Sequence, residues 1–551
     1  MTPSALTSHP VVGRALGLAG NVGTPARVLG GSGILRPLSP AVLARIGKAL
    51  KEWGTGPAGG FIAMALRDPH RVGLVDELGS LTFDEMHRRS NALARALTER
   101  GVREGDSVAV MCRNHRGFVD AIVATAKCGA DILLLNTAFA GPQLVDVLER
   151  EGPRVVVHDE EFTGLLARAD VDTRLLGWVD STDPGVDSVE SLIPAYDDAD
   201  LDAPVHHARI VILTSGTTGA PKGAPRSEAG VGAAVSLLSR MPLRYGWRTH
   251  IAAPLFHTWG FAHLALSMLL GSTVVLRRRF DPEQCLAAVA DERCESLVVI
   301  PVMLQRILNL PRGTLDTYQL TTLKVTAASG SALPGDLALE WMDTFGDNLY
   351  NIYGSTEVAY ASIATPRDLR EAPTSAGKPP WATVVKILDP DGHEVPRGES
   401  GRIFVGNGML FEGYTGGGGS TPESKEVVGG LMSSGDVGRF DANGRLYVEG
   451  RDDEMIVSGG ENVFPQEVED CLSRHEAVVE VAAIGVDDDQ FGKRLKAFVV
   501  VNEPPPSVDE LKDWVKENLA RYKVPREFVF LDELPRNATG KILKRELAEL
   551  D

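Results

Sequence analysis

Cysteine is scarce in this chain: five residues in 551, at Cys112, Cys128, Cys285, Cys294 and Cys471, with no Cys-x-x-Cys pair. So odd and scattered a set suits a reducing compartment and gives no sign of a zinc site. Long apolar runs are missing too. The longest, Leu264–Leu276, is broken by Ser267, Gly271 and Ser272, short of the ~20 residues a membrane helix needs, and it reads as a buried element. Basic charge does not prevail: 74 acidic against 56 basic side chains leave a net charge of −18, which argues against broad nucleic-acid binding. The ending Glu549–Leu550–Asp551 is not a peroxisomal tail. Repeats are absent, and the one low-complexity tract, Gly416–Gly417–Gly418–Gly419, reads as a surface loop.

Acidic residues are absent from residues 1 to 51, which carry Arg14, Arg27, Arg36, Arg45, Lys48 and Lys51. Ser39–Pro40 marks a helix start, and Leu43, Ile46, Leu50 and Trp53 fall on one face. Two readings stay open: a helix docked on the body of the protein, or a basic amphipathic helix lying on an anionic membrane surface. The composition also resembles a transit peptide, while no unbroken apolar core follows the first arginine to make a secretory signal.

At this length one core does not suffice, so two or more domains are expected. From about Phe61 the pattern alternates. A capping box at Thr82–Phe83–Asp84–Glu85 opens a helix toward Gly101, and strands are expected at Ser107–Met111, Ile132–Leu135 and Arg154–Val157, with helices at Phe118–Ala126 and Leu144–Arg150. This βα alternation implies an α/β fold with largely parallel sheets.

What the chain does contain is a dense loop. The β-branched run Arg209–Leu213 leads into Thr214, Ser215, Gly216, Thr217, Thr218, Gly219, Ala220, Pro221, Lys222 and Gly223. Glycines let backbone N–H groups approach a ligand, hydroxyls donate to phosphate oxygens, and a lysine adds a point charge. The Walker spacing is not met. A second motif, Asn351–Ile352–Tyr353–Gly354–Ser355–Thr356–Glu357, offers a ring for stacking, a glycine for close approach, a hydroxyl, and a carboxylate that with phosphates can hold Mg²⁺. A third, Ser434–Gly435–Asp436–Val437–Gly438, puts a carboxylate in a tight turn where it can accept both ribose hydroxyls. Arg451, Asp453 and the turn Ser458–Gly459–Gly460–Glu461–Asn462 follow it. Near the C-terminus Thr539–Gly540–Lys541 presents a lysine on a turn.

In this order the motifs resemble the adenylate-forming superfamily of acyl-CoA synthetases, luciferases and nonribosomal-peptide adenylation domains, over roughly Pro69 to Leu547. The resemblance implies a large N-terminal domain of several subdomains, its β-sheets layered by helices, and a small mobile α+β C-terminal domain. Expected boundaries are a basic extension over 1–55, the ATP- and acyl-binding domain over 56–450, and the C-terminal domain over 451–551 with its hinge at Asp453. The family pattern assigns Thr214 to Gly219 and Lys222 to the phosphates, and Gly330, Ser331 and Ala332 to the border of the base. Asn351, Tyr353 and Gly354 fall to the nucleotide, Tyr353 to its adenine, Thr356 to phosphate, Glu357 to the metal, and Asp436 and Arg451 to the ribose. His257, Trp259 and Gly260 would border the acyl tunnel, and Gly459 and Gly460 the pantetheine tunnel. Lys222, Thr356, Glu357 and Lys541 would carry the chemistry. Two departures stand out: a glycine run in Thr415–Thr421, and Met432–Ser433–Ser434 where Trp-x-Thr is commoner.

The implied activity is ATP-dependent acid–CoA ligation through acyl-AMP, with ATP, Mg²⁺ and CoA as cofactor and substrates. The pattern around Asp436 and Arg451 resembles that of fatty-acyl-CoA synthetases, and with the apolar stretch Phe256–Phe261 this puts a medium- or long-chain fatty acid first. Alternatives are an aryl- or small-acid–CoA ligase, and a fatty-acyl-AMP ligase loading a carrier protein. A non-enzymatic scaffold would be expected to lose Glu357 or Lys541, and both are present. A cytoplasmic location is expected, with peripheral membrane contact through the basic segment as a further expectation; oligomeric state and acyl chain length are left open.

Overall fold

The computed structural model describes residues 23–139, 141–171, 173–182, 185–214, 222–226, 231–355, 358–408, 426–452, 456–458, 461–488, 492–519, 521–537 and 540–550. Among the expected site residues, Ser215, Gly216, Thr217, Thr218, Gly219, Thr356, Glu357, Asp453, Gly459 and Gly460 lie outside these, as does the glycine run 416–419.

Strand–helix alternation builds two mostly parallel sheets. In the six-stranded one, Thr173–Trp178, Val155–Asp159, Ser107–Met111, Asp131–Leu134 and Ile210–Thr214 run parallel in that order, and Lys222–Arg226 adds an antiparallel edge. Its strands are apolar on both faces. Val108, Val110, Ile132 and Leu134 enter the main core, whereas Ala109, Met111 and Leu133 meet Leu144 and Val147 on the other side. This is the period of two in a sheet covered on both faces.

The eight-stranded sheet runs Ser362–Ala364, Leu349–Tyr353, Val325–Ala328, Ser296–Val299, Arg248–Ile251, Thr273–Val275, Val72–Asp76, Gly79–Thr82, parallel except at its two edges. Leu74, Val274, Leu297 and Val325 are buried in the core it shares with the first sheet. The helix Phe83–Glu99 between them starts at the expected capping box: the Thr82 hydroxyl accepts from Glu85 N at 3.2 Å and the Glu85 carboxylate accepts from Thr82 N at 2.7 Å. The strand Val325–Ala328 lies beside Ser296–Val299, with Ala327 and Ala328 paired to Val298 and Val299. The broken apolar run at 264–276 resolves into the helix Thr258–Leu269 and the buried strand Thr273–Val275.

An antiparallel sheet of Val384–Leu388, Gly401–Gly406, Leu431–Phe440, Val427–Val428 and Leu446–Arg451 completes the N-terminal part. Arg451 pairs with Asp436 as the last residue of that sheet, one position past the boundary expected at 450. The smaller C-terminal unit has its own sheet, with Val478–Asp488 beside Gly492–Val501 and Glu527–Phe530 parallel to the latter. Val468, Leu495, Leu511 and Val515 fill one face, and Ile484, Phe498 and Leu547 the other.

The first of the two readings of the basic helix matches the packing. Pro40–Trp53 is capped by Ser39, whose hydroxyl accepts from Val42 N at 3.3 Å. Ala49 is buried, and Trp53 packs against the main core. Tyr245 N donates to Ser32 O at 2.7 Å and the Arg67 guanidinium to Ile34 O at 2.9 Å, so residues 32–53 lie on the body. Leu35 and Leu43 remain exposed. No helix among the described residues is long and apolar enough to cross a membrane.

Candidate active site

The site forms where the central parallel strands of the larger sheet end: Ile251, Val299, Ala328 and Tyr353 are the last residues of neighbouring strands. In open α/β sheets ligands bind beyond these carboxyl ends. The turn after Ile251 is pinned from the other sheet by Asn114, which is 5% exposed. Its amide donates to Ile251 O at 3.1 Å and Ala253 O at 2.9 Å, and its carbonyl accepts from Leu255 N at 2.9 Å. That turn delivers His257, which caps the helix Thr258–Leu269 by accepting from Trp259 N at 3.4 Å. The Trp259 indole N–H donates to Val299 O at 2.9 Å, fixing this helix to the next strand end. Gly260 is required by packing, since a Cβ there would lie 2.2 Å from Pro254 O. Trp259 and Gly260 therefore hold the frame of the site.

Past Ala328, Gly330 turns at φ +99° and lies against Ile300, with Gly330 and Ala332 exposed and Ser331 half-buried. Ser329 Oγ donates to Ile352 O at 2.8 Å, tying this turn to the strand of the second motif. Asn351 Oδ1 is buried there with no partner among the described residues. Gly354 is forced by the returning chain, because a Cβ would stand 2.1 Å from Ala359 O.

The Tyr353 phenol donates to the Asp436 carboxylate and lies 3.2 Å from Ser434 Oγ. Burial first, then the Asp436 charge, raises the phenol's pKa and keeps its proton in place. Asp436 is itself 7% exposed and pairs across the ladder with Arg451, whose guanidinium reaches it at 3.5 Å. The second and third motifs therefore meet in one hydrogen-bonded group, with a buried carboxylate beside an aromatic ring. Ser434, one of the residues departing from the family pattern, is part of it: its hydroxyl also accepts from Asp436 N at 3.2 Å.

The strands on either side of the Gly/Ser/Thr-rich stretch pair antiparallel. Thr214 and Lys222 are direct partners across the antiparallel pair Ile210–Thr214 and Lys222–Arg226. A Walker loop opens a helix instead, so the architecture agrees with the failed spacing.

Lys541 comes to the site on the C-terminal unit. Its turn is tied by Gly540 N to Asn537 O, Lys541 N to Asn537 Oδ1, and Asn537 N to Lys541 O, each 2.9 Å. Arg536 donates to Gly540 O at 2.6 Å. Gly540 packs on Ile300 and Val302, and nearby Gln305 donates to Val479 O at 2.8 Å. Lys541 is exposed and sits beside the turn that also backs Gly330. Asn114, Ile300 and Val302 thus belong to the site without any motif to announce them.

Two groups of described residues have metal-like spacing, Cys112–His115–Asp159 and Asp389–Asp391–His393, and neither contains a residue of these motifs. In the first, His115 already uses both nitrogens, toward Asp159 at 2.8 Å and Gly117 N at 3.1 Å. A cleft of about 720 Å³ between Leu78 and Trp178, Ser181, Val186 and Ser191 lies at the far edges of both sheets, away from Lys222–Arg226 and Tyr353.

The family model described as AMP-binding enzyme matches residues 61–415, and that described as AMP-binding enzyme C-terminal domain matches 467–541. A feruloyl-CoA synthase of Amycolatopsis sp is 34% identical over 492 residues, covering 88% of this chain and 97% of that protein. A 2-succinylbenzoate–CoA ligase of Bacillus licheniformis is also 34% identical, over 87% of this chain and 97% of its own. Among solved structures, the O-succinylbenzoate coenzyme A synthetase of Bacillus subtilis in complex with its acyl-adenylate intermediate superimposes with a TM-score of 0.76 at 30% identity, covering 89% of this chain and 97% of that one. The chain belongs to the AMP-binding enzyme family, the adenylate-forming superfamily, and within it to the acid–CoA ligase type.

Proposed function

We propose that the protein activates an aromatic carboxylic acid with ATP, forming the aryl adenylate and pyrophosphate, and then transfers the acyl group to CoA with release of AMP. The observation that carries the chemistry is the seating of the Gly540–Lys541 turn on Ile300 and Val302, at the strand ends that also carry Gly330 and Tyr353. Support for an aromatic rather than a fatty acid comes from the relatives, whose named acids carry a ring. The stretch Phe256–Phe261 gives no separate argument for an alkyl chain, because Phe256, Trp259 and Phe261 are all part of the hydrophobic core.

In this reading a carboxylate oxygen of the acid bonds to the α-phosphorus as the bond to the pyrophosphate oxygen breaks. Two anions must meet, and cations neutralise and align them. Lys222 and the amides of the phosphate loop would hold the β- and γ-phosphates, and Lys541 would face the reacting carboxylate. Asp436 and Arg451 would hold the ribose, with Tyr353 fixed against Asp436 to border the base. Mg²⁺, when bound, supplies further neutralisation of the phosphates; Glu357, which would hold it, lies outside the described residues. In the second step the CoA sulfur attacks the acyl carbon and AMP leaves. Withdrawal of Lys541 by rotation of the C-terminal unit about Asp453 would free the approach for Gly459 and Gly460 to border the thiol's path.

The test is a ladder of acids, from acetate through long-chain fatty acids to benzoates, cinnamates and indoleacetate, supplied with ATP and CoA while AMP and thioester are recorded. Turnover confined to the ring-bearing acids supports the proposal. Turnover confined to fatty acids longer than six carbons overturns it.

A further inference from the structure

The larger sheet reverses its winding once. After Arg248–Ile251 the chain crosses to Thr273–Val275 on one side, then returns to Ser296–Val299 on the other and continues outward through Val325–Ala328 and Leu349–Tyr353. Such a switch point opens a crevice between neighbouring strand ends, where ligands of open α/β sheets bind. Here the crevice lies between Ile251 and Val299, and Trp259 spans it: its helix follows Ile251 and its indole is bonded to Val299 O at 2.9 Å.

One turn further along that helix stands His263. It is 1% exposed, and its ring meets the Trp259 ring edge-on, with centroids 4.1 Å apart and an interplanar angle of 66°. Its Nδ1 lies 3.4 Å from Trp259 O, so the proton sits on Nδ1 and Nε2 is left as an acceptor. That Nε2 is buried with no partner among the described residues. Burial lowers the pKa to about 4, so the ring is neutral at physiological pH and the acceptor is present. A buried acceptor with nothing to accept from is rare and calls for a partner.

Resting on the aryl-acid reading, we propose that His263 is a specificity-determining residue whose Nε2 accepts a hydrogen bond from a hydroxyl on the ring of the acid. With about 1.5 Å of rise per residue, six residues set His263 about 9 Å along the helix from His257. A hydroxyl at the far end of a cinnamate-length acid matches that depth better than one on a benzoate.

The probes are cinnamate, 3-hydroxycinnamate, 4-hydroxycinnamate, 4-methylcinnamate, benzoate and 4-hydroxybenzoate, with kcat/KM for pyrophosphate release as the readout. The wild-type enzyme is expected to favour a hydroxycinnamate over cinnamate and 4-methylcinnamate by about tenfold or more, since a site built to bond a hydroxyl discriminates against its absence. His263→Leu should collapse that preference to within about twofold while keeping turnover of cinnamate, which also reports an intact fold; His263→Gln, which retains an acceptor, should keep part of it. A wild-type enzyme that turns over these acids with no hydroxyl preference overturns the inference and leaves the aryl-acid reading standing. A preference that survives in His263→Leu overturns it as well. A wild-type enzyme that turns over none of the ring-bearing acids overturns the aryl-acid reading, and the inference falls with it. The wild-type comparison stands whether or not either variant folds.

Discussion

Gly540 and Val302 approach so closely that a Cβ on the glycine would lie 2.6 Å from Val302 Cγ1, and Gly540 holds φ +76°. The contact joins the turn of Lys541 to the helix Pro301–Leu308 of the N-terminal part. In the proposed cycle it exists in the adenylating orientation and is released for thioester formation.

Gly540→Ala tests that contact. A non-glycine residue in the left-handed region costs roughly 1–2 kcal/mol, and here the added methyl also strikes a β-branched side chain. Pyrophosphate exchange is expected to fall by about tenfold or more, while pre-formed aryl adenylate plus CoA gives thioester at close to the wild-type rate. Equal losses in both half-reactions would contradict a contact specific to one orientation.

In the proposed reading the Tyr353–Asp436–Arg451 group serves the binding of ATP and not that of the acid. Asp436→Asn removes a charged acceptor, for which roughly 1.5–3 kcal/mol is at stake, and should raise the KM for ATP by at least tenfold. Tyr353→Phe leaves that carboxylate and the aromatic ring in place, and should raise it only a few-fold. In steady-state kinetics the KM for the acid should stay within about twofold in both. An acid KM that rises in parallel with that for ATP would remove this group from the ribose site.

Much of this architecture is legible in residues next to one another. Thr82 and Glu85 announce a helix because a capping box needs only local chemistry, and Val108–Met111 announces a buried parallel strand by being apolar throughout. The pairing of Asp436 with Arg451 follows from a hairpin, although its register does not. Contacts that depend on distant chain segments left no local trace. Asn114 pins the turn after Ile251 from 137 positions away. Ile300 and Val302 receive the Lys541 turn with nothing more distinctive than apolar side chains. The Phe256–Phe261 stretch suggested an alkyl tunnel because composition cannot tell a ring that lines a pocket from one that fills a core.

Lys127 offers a check on the core between the sheets. It is 3% exposed, and its ammonium donates to His87 O at 3.0 Å, Ser90 Oγ at 2.8 Å and Asn91 Oδ1 at 2.6 Å, with His87 Nδ1 at 3.0 Å. Burial pulls its pKa down to about 7 from the usual 10.5. Between those values the unfolded chain holds the proton that the folded chain has released, so stability rises with pH by up to about 1.4 kcal/mol per unit. Below about pH 7 both states are protonated and the slope vanishes. Denaturant unfolding of the wild type and Lys127→Met at pH 7 and pH 9 should show the wild type gaining relative to the variant. An unchanged difference would mean that the buried amine keeps an ordinary pKa.

Lys541→Ala with the two half-reactions separated tests the two-step, two-orientation account most directly. Removing a positioned cation from a developing phosphoryl charge should cost about 3 kcal/mol or more, on the order of 10² in rate. The account predicts that pyrophosphate exchange with an aryl acid falls by that factor while purified aryl adenylate and CoA still yield thioester at near the wild-type rate. Equal slowing of both steps, or exchange at the wild-type rate, would contradict it.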